Sequence, residues 1–175
     1  MAGTKNLFKH IKGLPNIQEV NYFELLYDDK KLYLNSIKLG LFKNEIIKSF
    51  EIPLQRIVDI NYITEDYMQD KSVIKRAIIG SFINPLGAII GGMSGIGQKK
   101  AKKQLYSITF LASDDTIKNV VFDPQYMSYD IKNMGFNKKI NKQLKDIQKD
   151  PKIEKILNEG FDFTEDESGV QRTEL

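Results

Sequence analysis

The residues that could do chemistry are two aspartate pairs, one histidine, a cluster of glycines and a late run of acids. Asp28-Asp29 and Asp114-Asp115 look like paired catalytic carboxylates, but each lies between two alternating apolar runs, where a hairpin needs turn residues. The glycines at 91 to 97 suggest a phosphate loop. That motif requires Lys and then Ser or Thr after its last glycine, and here Gly97 is followed by Gln98 and Lys99. Ser94 lacks the two-sided glycine spacing of a nucleophile elbow, and the only histidine, His10, sits in a basic N-terminal segment, so no Ser/His set is assembled. One histidine without cysteine does not make a transition-metal cluster, and His10 reads as a surface or packing residue. Asp162, Asp166 and Glu167 lack the central glycine of a calcium loop. The sequence therefore reads as a non-enzymatic chain, with no cofactor, metal or small-molecule substrate expected.

The most distinctive segment is Ala77 to Gly97, 21 residues without a charge. Lys71, Lys75 and Arg76 precede it, and Lys99, Lys100, Lys102 and Lys103 follow it. Its length matches one membrane-spanning helix, but Pro85 lies near its middle and six glycines weaken a helix, among them Gly80. Basic flanks on both sides favour keeping both ends on one face of a membrane, so a hairpin turning at Asn84-Pro85-Leu86-Gly87 is expected instead. Gly87, Gly91 and Gly95 recur every four residues and would give one helix face a smooth stripe that another helix can approach closely. Three uses stay open: self-association into a homo-oligomer, contact with a protein partner, and peripheral docking at a membrane. In the last, the flanking lysines would each add about 1 kcal/mol near an anionic surface.

The elements that must carry this insert follow from periodicity. Between Asn21 and Phe122, outside the insert, apolar residues recur every second position, the pattern of half-buried strands. Phe23, Leu25 and Tyr27 share one face, Asp28-Asp29-Lys30 turns, and Leu32 with Leu34 begins the return. Further strands are expected at Leu39 with Leu41, at Ile46, Phe50 and Ile52, and at Val58, Ile60 and Tyr62. Tyr106, Ile108 and Phe110 then pair, across Ser113-Asp114-Asp115, with the run from Ile117 to Phe122. Beyond Pro124, Phe136, Ile140, Leu144 and Ile147 fall at spacings of four, four and three, an amphipathic helix. A weak helical turn is expected from Lys152 to Leu157, before a tail that reads as flexible.

With 41% apolar and 28% charged residues, the 175-residue chain supports one ordinary core. The net charge of +3 conceals a division: residues 149 to 175 hold eight acids against four bases, leaving about +7 on the rest. The absence of cysteine fits a reducing compartment, and the lysines interleaved through Met1 to Gly13 do not resemble a secretory signal. The expected location is cytoplasmic, with the inner membrane face as the site of any peripheral contact.

A run of antiparallel strands ending in one amphipathic helix, with the phrase EIPLQRIVDINYI joining two strands midway, resembles the bacterial PH-like and GRAM-like domains. Pro53, Gln55 and Ile57 stand where those domains carry a proline and a small or polar residue before a strand-starting isoleucine. Lysine-flanked, glycine-rich inserts resembling this one occur in small bacterial and phage proteins of PH-like type. The resemblance covers roughly residues 17 to 148 and implies a mainly β fold, a bent seven-stranded antiparallel sandwich or open barrel capped by the C-terminal helix. It sets 1–16 apart as an N-terminal segment, 66–103 as an insertion and 149–175 as an acidic tail. Such domains bind lipid head groups, peptides or proteins, so the resemblance implies a binding or adaptor module. An alternative is a nucleic-acid-binding module using Lys138, Lys139, Lys142 and Lys145. It rests on the lysines alone, because Tyr106 and Phe110 fall on the apolar side of their strand.

Overall fold

A computed structural model of the chain describes residues 6–17, 22–40, 44–63, 104–124, 130–159, 163–165 and 171–173. Seven antiparallel strands form one sheet: β1 (Phe8–Lys12), β2 (Tyr22–Tyr27), β3 (Lys31–Lys38), β4 (Glu45–Pro53), β5 (Ile57–Ile63), β6 (Leu105–Leu111) and β7 (Ile117–Asp123). Two helices follow, α1 (Asp130–Asp146) and α2 (Pro151–Glu159), and then a short ribbon of β8 (Phe163–Glu165) with β9 (Gln171–Thr173). The fold is mainly antiparallel β with a C-terminal helical part.

Strand order in the sheet is β4-β3-β2-β1-β7-β6-β5, two meanders joined where β1 pairs with β7. The two edge strands, β4 and β5, are consecutive in sequence and linked only by a single 3₁₀ turn, Leu54–Arg56. A flat sheet would hold them about 29 Å apart, whereas the link from Pro53 to Ile57 reaches at most about 15 Å. The sheet must therefore curl until its ends approach at this corner.

The expected hairpins form. Leu25 faces Leu34 and Tyr27 faces Leu32 across β2–β3, while Tyr106 faces Phe122 and Leu111 faces Ile117 across β6–β7. Both aspartate pairs lie in turns. Asp28 accepts from the backbone N–H of Lys30 and Lys31, and Asp114 accepts from the N–H and hydroxyl of Thr116. Phe8, Phe23, Leu25, Leu34, Ile60, Tyr106, Ile108 and Phe122 line one core, closed by Phe136 and Ile140 of α1. His10 packs against the rings of Phe23 and Phe122, and burial pushes its pKa below the usual histidine value.

Four details differ from the sequence reading, each for a local reason. Residues Phe8–Lys12, within the span 1–16 set apart as a separate segment, form β1, which lies fourth of seven strands; Phe8 and the preceding Leu7 are buried. A bulge between Ile57 and Asp59 breaks the period of two, so Ile57 and Ile60 enter the main core while Val58 turns to a second cluster. Ile46 is a strand residue but stands exposed, beside a register shift opposite Ser36 and Ile37. The span 149–175, set apart as a tail, contains nine-residue α2, whose Ile153 and Ile156 are buried against Val58 and Leu111.

Asp150 caps α2 by accepting from the N–H of Lys152, ahead of Pro151 at the first helical position. Arg56 ties this cap to the sheet corner. Its Nε donates to Asp150 at 3.1 Å, one Nη to Asp115 at 3.0 Å and the other to the carbonyl of Ala112 at 2.7 Å. Lys152 also pairs with Asp115. Asp115 is held below the usual carboxylate range first by Lys152 and then by Arg56. Asp150 is held low first by the N–H of Lys152 and then by Arg56. An aspartate with a depressed folded pKa stabilises fully above its unfolded value, about 4, and loses that contribution as pH falls through the folded value. Arg56→Met should thus lower the urea midpoint at pH 7, and its midpoint should fall less than the wild type's between pH 4.5 and pH 2.5. Equal pH dependence in both proteins would remove Arg56 from this role.

Candidate binding surface

Helix α1 is positioned by asparagines as much as by apolar packing. Asn133, wholly buried, donates to the carbonyls of Leu7 and Pro124, both at 2.8 Å, and accepts from the N–H of Leu7 at 3.0 Å. One turn on, Asn137 donates to the Asn61 side chain and accepts from the hydroxyl of Tyr106. A further turn on, Asn141 donates to the Ile60 carbonyl and to Asn137. Between them Phe136 and Ile140 enter the core, and Leu144 packs at its margin. Gln143 reaches the Asp28 carbonyl in the β2–β3 turn. The helix is thereby bonded to both halves of the curled sheet.

At about 100° per residue, the rest of α1 presents two outward stripes. One carries Ile131, Met134, Lys138, Lys142 and Lys145 within about 80° of the helix circumference. Ile131 is 84% exposed and Met134 62% exposed, and the three lysines are exposed as well. The neighbouring stripe carries Lys132, Gly135 and Lys139 and borders a groove against β2. From Ile131 to Lys145 the helix has five lysines and no acid. This arrangement can attract and hold an anionic surface. It contains no nucleophile set beside a base.

All of the insert positions expected to make contacts lie outside the described residues: Gly80, Pro85, Gly87, Gly91, Gly95, Lys75, Arg76, Lys99, Lys100, Lys102 and Lys103. The helix lysines of the alternative reading, Lys138, Lys139, Lys142 and Lys145, do fall together on α1 and face outward. Tyr106 is fully buried and Phe110 packs at the core margin, so neither offers a stacking platform. Sequence reasoning missed Asn133, Asn137 and Asn141, although a period-four asparagine series within a helix was there to be read. It also missed the exposed pair Ile131 and Met134, one turn apart and just ahead of the apolar stripe.

No protein family, curated protein or solved structure matches the chain at a significant level. Among the described residues, no helix is long and apolar enough to cross a membrane, and no group of three or more acidic, histidine or cysteine side chains is placed to hold a metal ion.

Proposed function

We propose that the chain is a non-enzymatic, PH-like binding module that docks peripherally on anionic membranes through the outer stripe of α1. The observation that carries this reading is the exposure of Ile131 and Met134 on the same helix face as Lys138, Lys142 and Lys145. Apolar side chains that enter the headgroup boundary, backed by lysines that meet anionic lipids, are what an interfacial helix needs. Two meanders curled about one core and plugged by α1 support the PH-like sandwich reading. In this reading the uncharged, glycine-rich segment 77–97, expected from its sequence to be a hairpin, adds a second apolar contact, to the same membrane or to another copy of the chain.

Flotation with phosphatidylserine-containing vesicles and with neutral vesicles tests it. Recovery is expected with the anionic vesicles only. The double variant Ile131→Ser, Met134→Ser should bind at least about tenfold more weakly, and Lys138→Glu with Lys142→Glu should abolish recovery. Failure of the wild type to float with anionic vesicles would end the membrane reading. The same lysines suit a phosphate backbone, the second reading. Binding to duplex or single-stranded nucleic acid that weakens steeply with salt would favour it.

A further inference from the structure

His10 is the chain's only histidine, and it stands in the strand that joins the two meanders. That strand, β1, is five residues long and the shortest of the seven. Phe8 faces Phe23 and Lys9 faces Tyr22 on one side. On the other side the pairing with Asp123, Phe122 and Val121 of β7 shifts register between His10 and Lys12, whereas β2–β3 and β6–β7 pair without such a shift. A short ladder interrupted in this way opens more readily than a continuous one, so a disturbance at His10 falls on a weak seam of the sheet.

Only one nitrogen of the imidazole is satisfied. A ring N–H donates to the Lys12 carbonyl, whereas Nε2 is buried without a hydrogen-bond partner, so the bonded nitrogen is Nδ1 and Nε2 carries the lone pair. The ring packs against Phe23 at 5.7 Å and Phe122 at 5.9 Å between centroids. Protonation would set an N–H and a positive charge at Nε2, where no acceptor meets them, and burial of such a group is costly. The charged neighbours do not offset that cost. Lys9 with its partners Tyr22 and Asp123, Glu24 of β2, and Lys12 opposite Val121 stand on the other face of the sheet by the alternation of side chains. On His10's own face, Lys48 of β4 lies 4.7 Å over the ring of Phe50, which packs on Phe23, and it is a second cation. Lys118 of β7 is drawn to Asp114. We propose that His10 is a proton-operated latch: neutral, it keeps the two meanders joined through β1, and protonated, it loosens β1 from β2 and β7 while the outer hairpins stay folded. Burial holds the folded pKa of His10 below the ordinary value of about 6.5. The latch is therefore fully closed above about pH 6.5 and weakens as pH falls from there toward the folded value. It does not depend on the membrane reading.

Proton NMR of the lone imidazole, amide hydrogen exchange and urea denaturation between pH 7.5 and pH 5.5 test the latch. Asp115 and Asp150, held below the usual carboxylate range, stay ionised throughout that window. The imidazole signals of the full chain should titrate with a midpoint below about 6.5. Exchange corrected for its intrinsic pH dependence should quicken in β1 and in the facing Tyr22 and Phe23 as pH falls, and stay constant across β3–β4. His10→Phe keeps an aromatic ring but binds no proton, so its β1 exchange and its urea midpoint should not respond to pH in this window. Titration and exchange are read on the wild type and decide the matter even where His10→Phe does not fold. A midpoint at or above about 6.5, equal quickening in β1 and β3–β4, or a wild-type pH response in His10→Phe would overturn the proposal.

Discussion

Asn133→Ala is expected to lower the unfolding free energy by about 3–5 kcal/mol, the largest loss from any single polar substitution in the described residues. The asparagine is fully buried, and its one amide closes three backbone groups: the N–H of Leu7 and the carbonyls of Leu7 and Pro124. Removal of the amide leaves all three without their partner in a space sized for a side chain, and each unsatisfied buried group costs about 1–3 kcal/mol. Those groups mark the entry to β1 and the exit from β7, so the loss also frees the start of α1 from the two central strands. Asn133→Asp is expected to be no milder, since it keeps the acceptor but sets a carboxylate against two carbonyls. Urea denaturation followed by far-ultraviolet circular dichroism and tyrosine fluorescence measures both. Asn137→Ala, whose contacts are partly exposed, should cost only about 1 kcal/mol. If Asn133→Ala and Asn137→Ala unfold at the same urea concentration, the asparagine does not anchor the helix.

The contrast between these residues explains which parts of the fold were legible. Hairpins β2–β3 and β6–β7 announce themselves because Phe23, Leu25, Leu32 and Leu34, or Tyr106, Ile108, Val120 and Phe122, alternate cleanly around an aspartate turn. The apolar stripe of α1 is equally plain. β1 is hidden because Lys9, His10 and Lys12 follow Phe8, and a strand whose next inward side chain is a histidine and whose pairing shifts register between His10 and Lys12 lacks the alternation that identifies strands. The asparagines of α1 are hidden for a related reason: periodicity scans apolar residues, whereas this helix is also held by amides that satisfy strand ends and exposed backbone. α2 was half visible. Ile153, Ile156 and Leu157 give the stripe and Asp150-Pro151 the cap, but the surrounding acidity of the tail outweighed them. At the candidate surface the lysines were readable as charge. The partition of α1 into a fully exposed stripe and a stripe bordering the groove depends on where β2 ends, which only the assembled sheet reveals.

Gly13→Ala should be as damaging as the loss of Asn133, about 3–5 kcal/mol, for a reason confined to backbone. Gly13 follows β1 with φ of +102°, a conformation that side chains rarely adopt, and a Cβ there would stand 2.0 Å from the carbonyl oxygen of Asn119 and 2.8 Å from the Cα of Val120. Neither atom is a flexible side-chain end. Both belong to β7, and relief of the clash would require β1 and β7 to separate where the two meanders join. Asn119 has little freedom to give way, because its amide is buried and donates to Ser107 at 2.6 Å and Thr109 at 2.7 Å on β6. The same substitution at Gly135, where nothing lies within 4 Å of the new atom, should be neutral or stabilising by about 0.5–1 kcal/mol. Thermal unfolding of the pair is therefore expected to diverge, with Gly13→Ala melting about 10 °C or more below the wild type and Gly135→Ala at or above it. A wild-type melt for Gly13→Ala would mean that β1 approaches β7 less closely than the structure has it, and that the junction of the two meanders has room to spare.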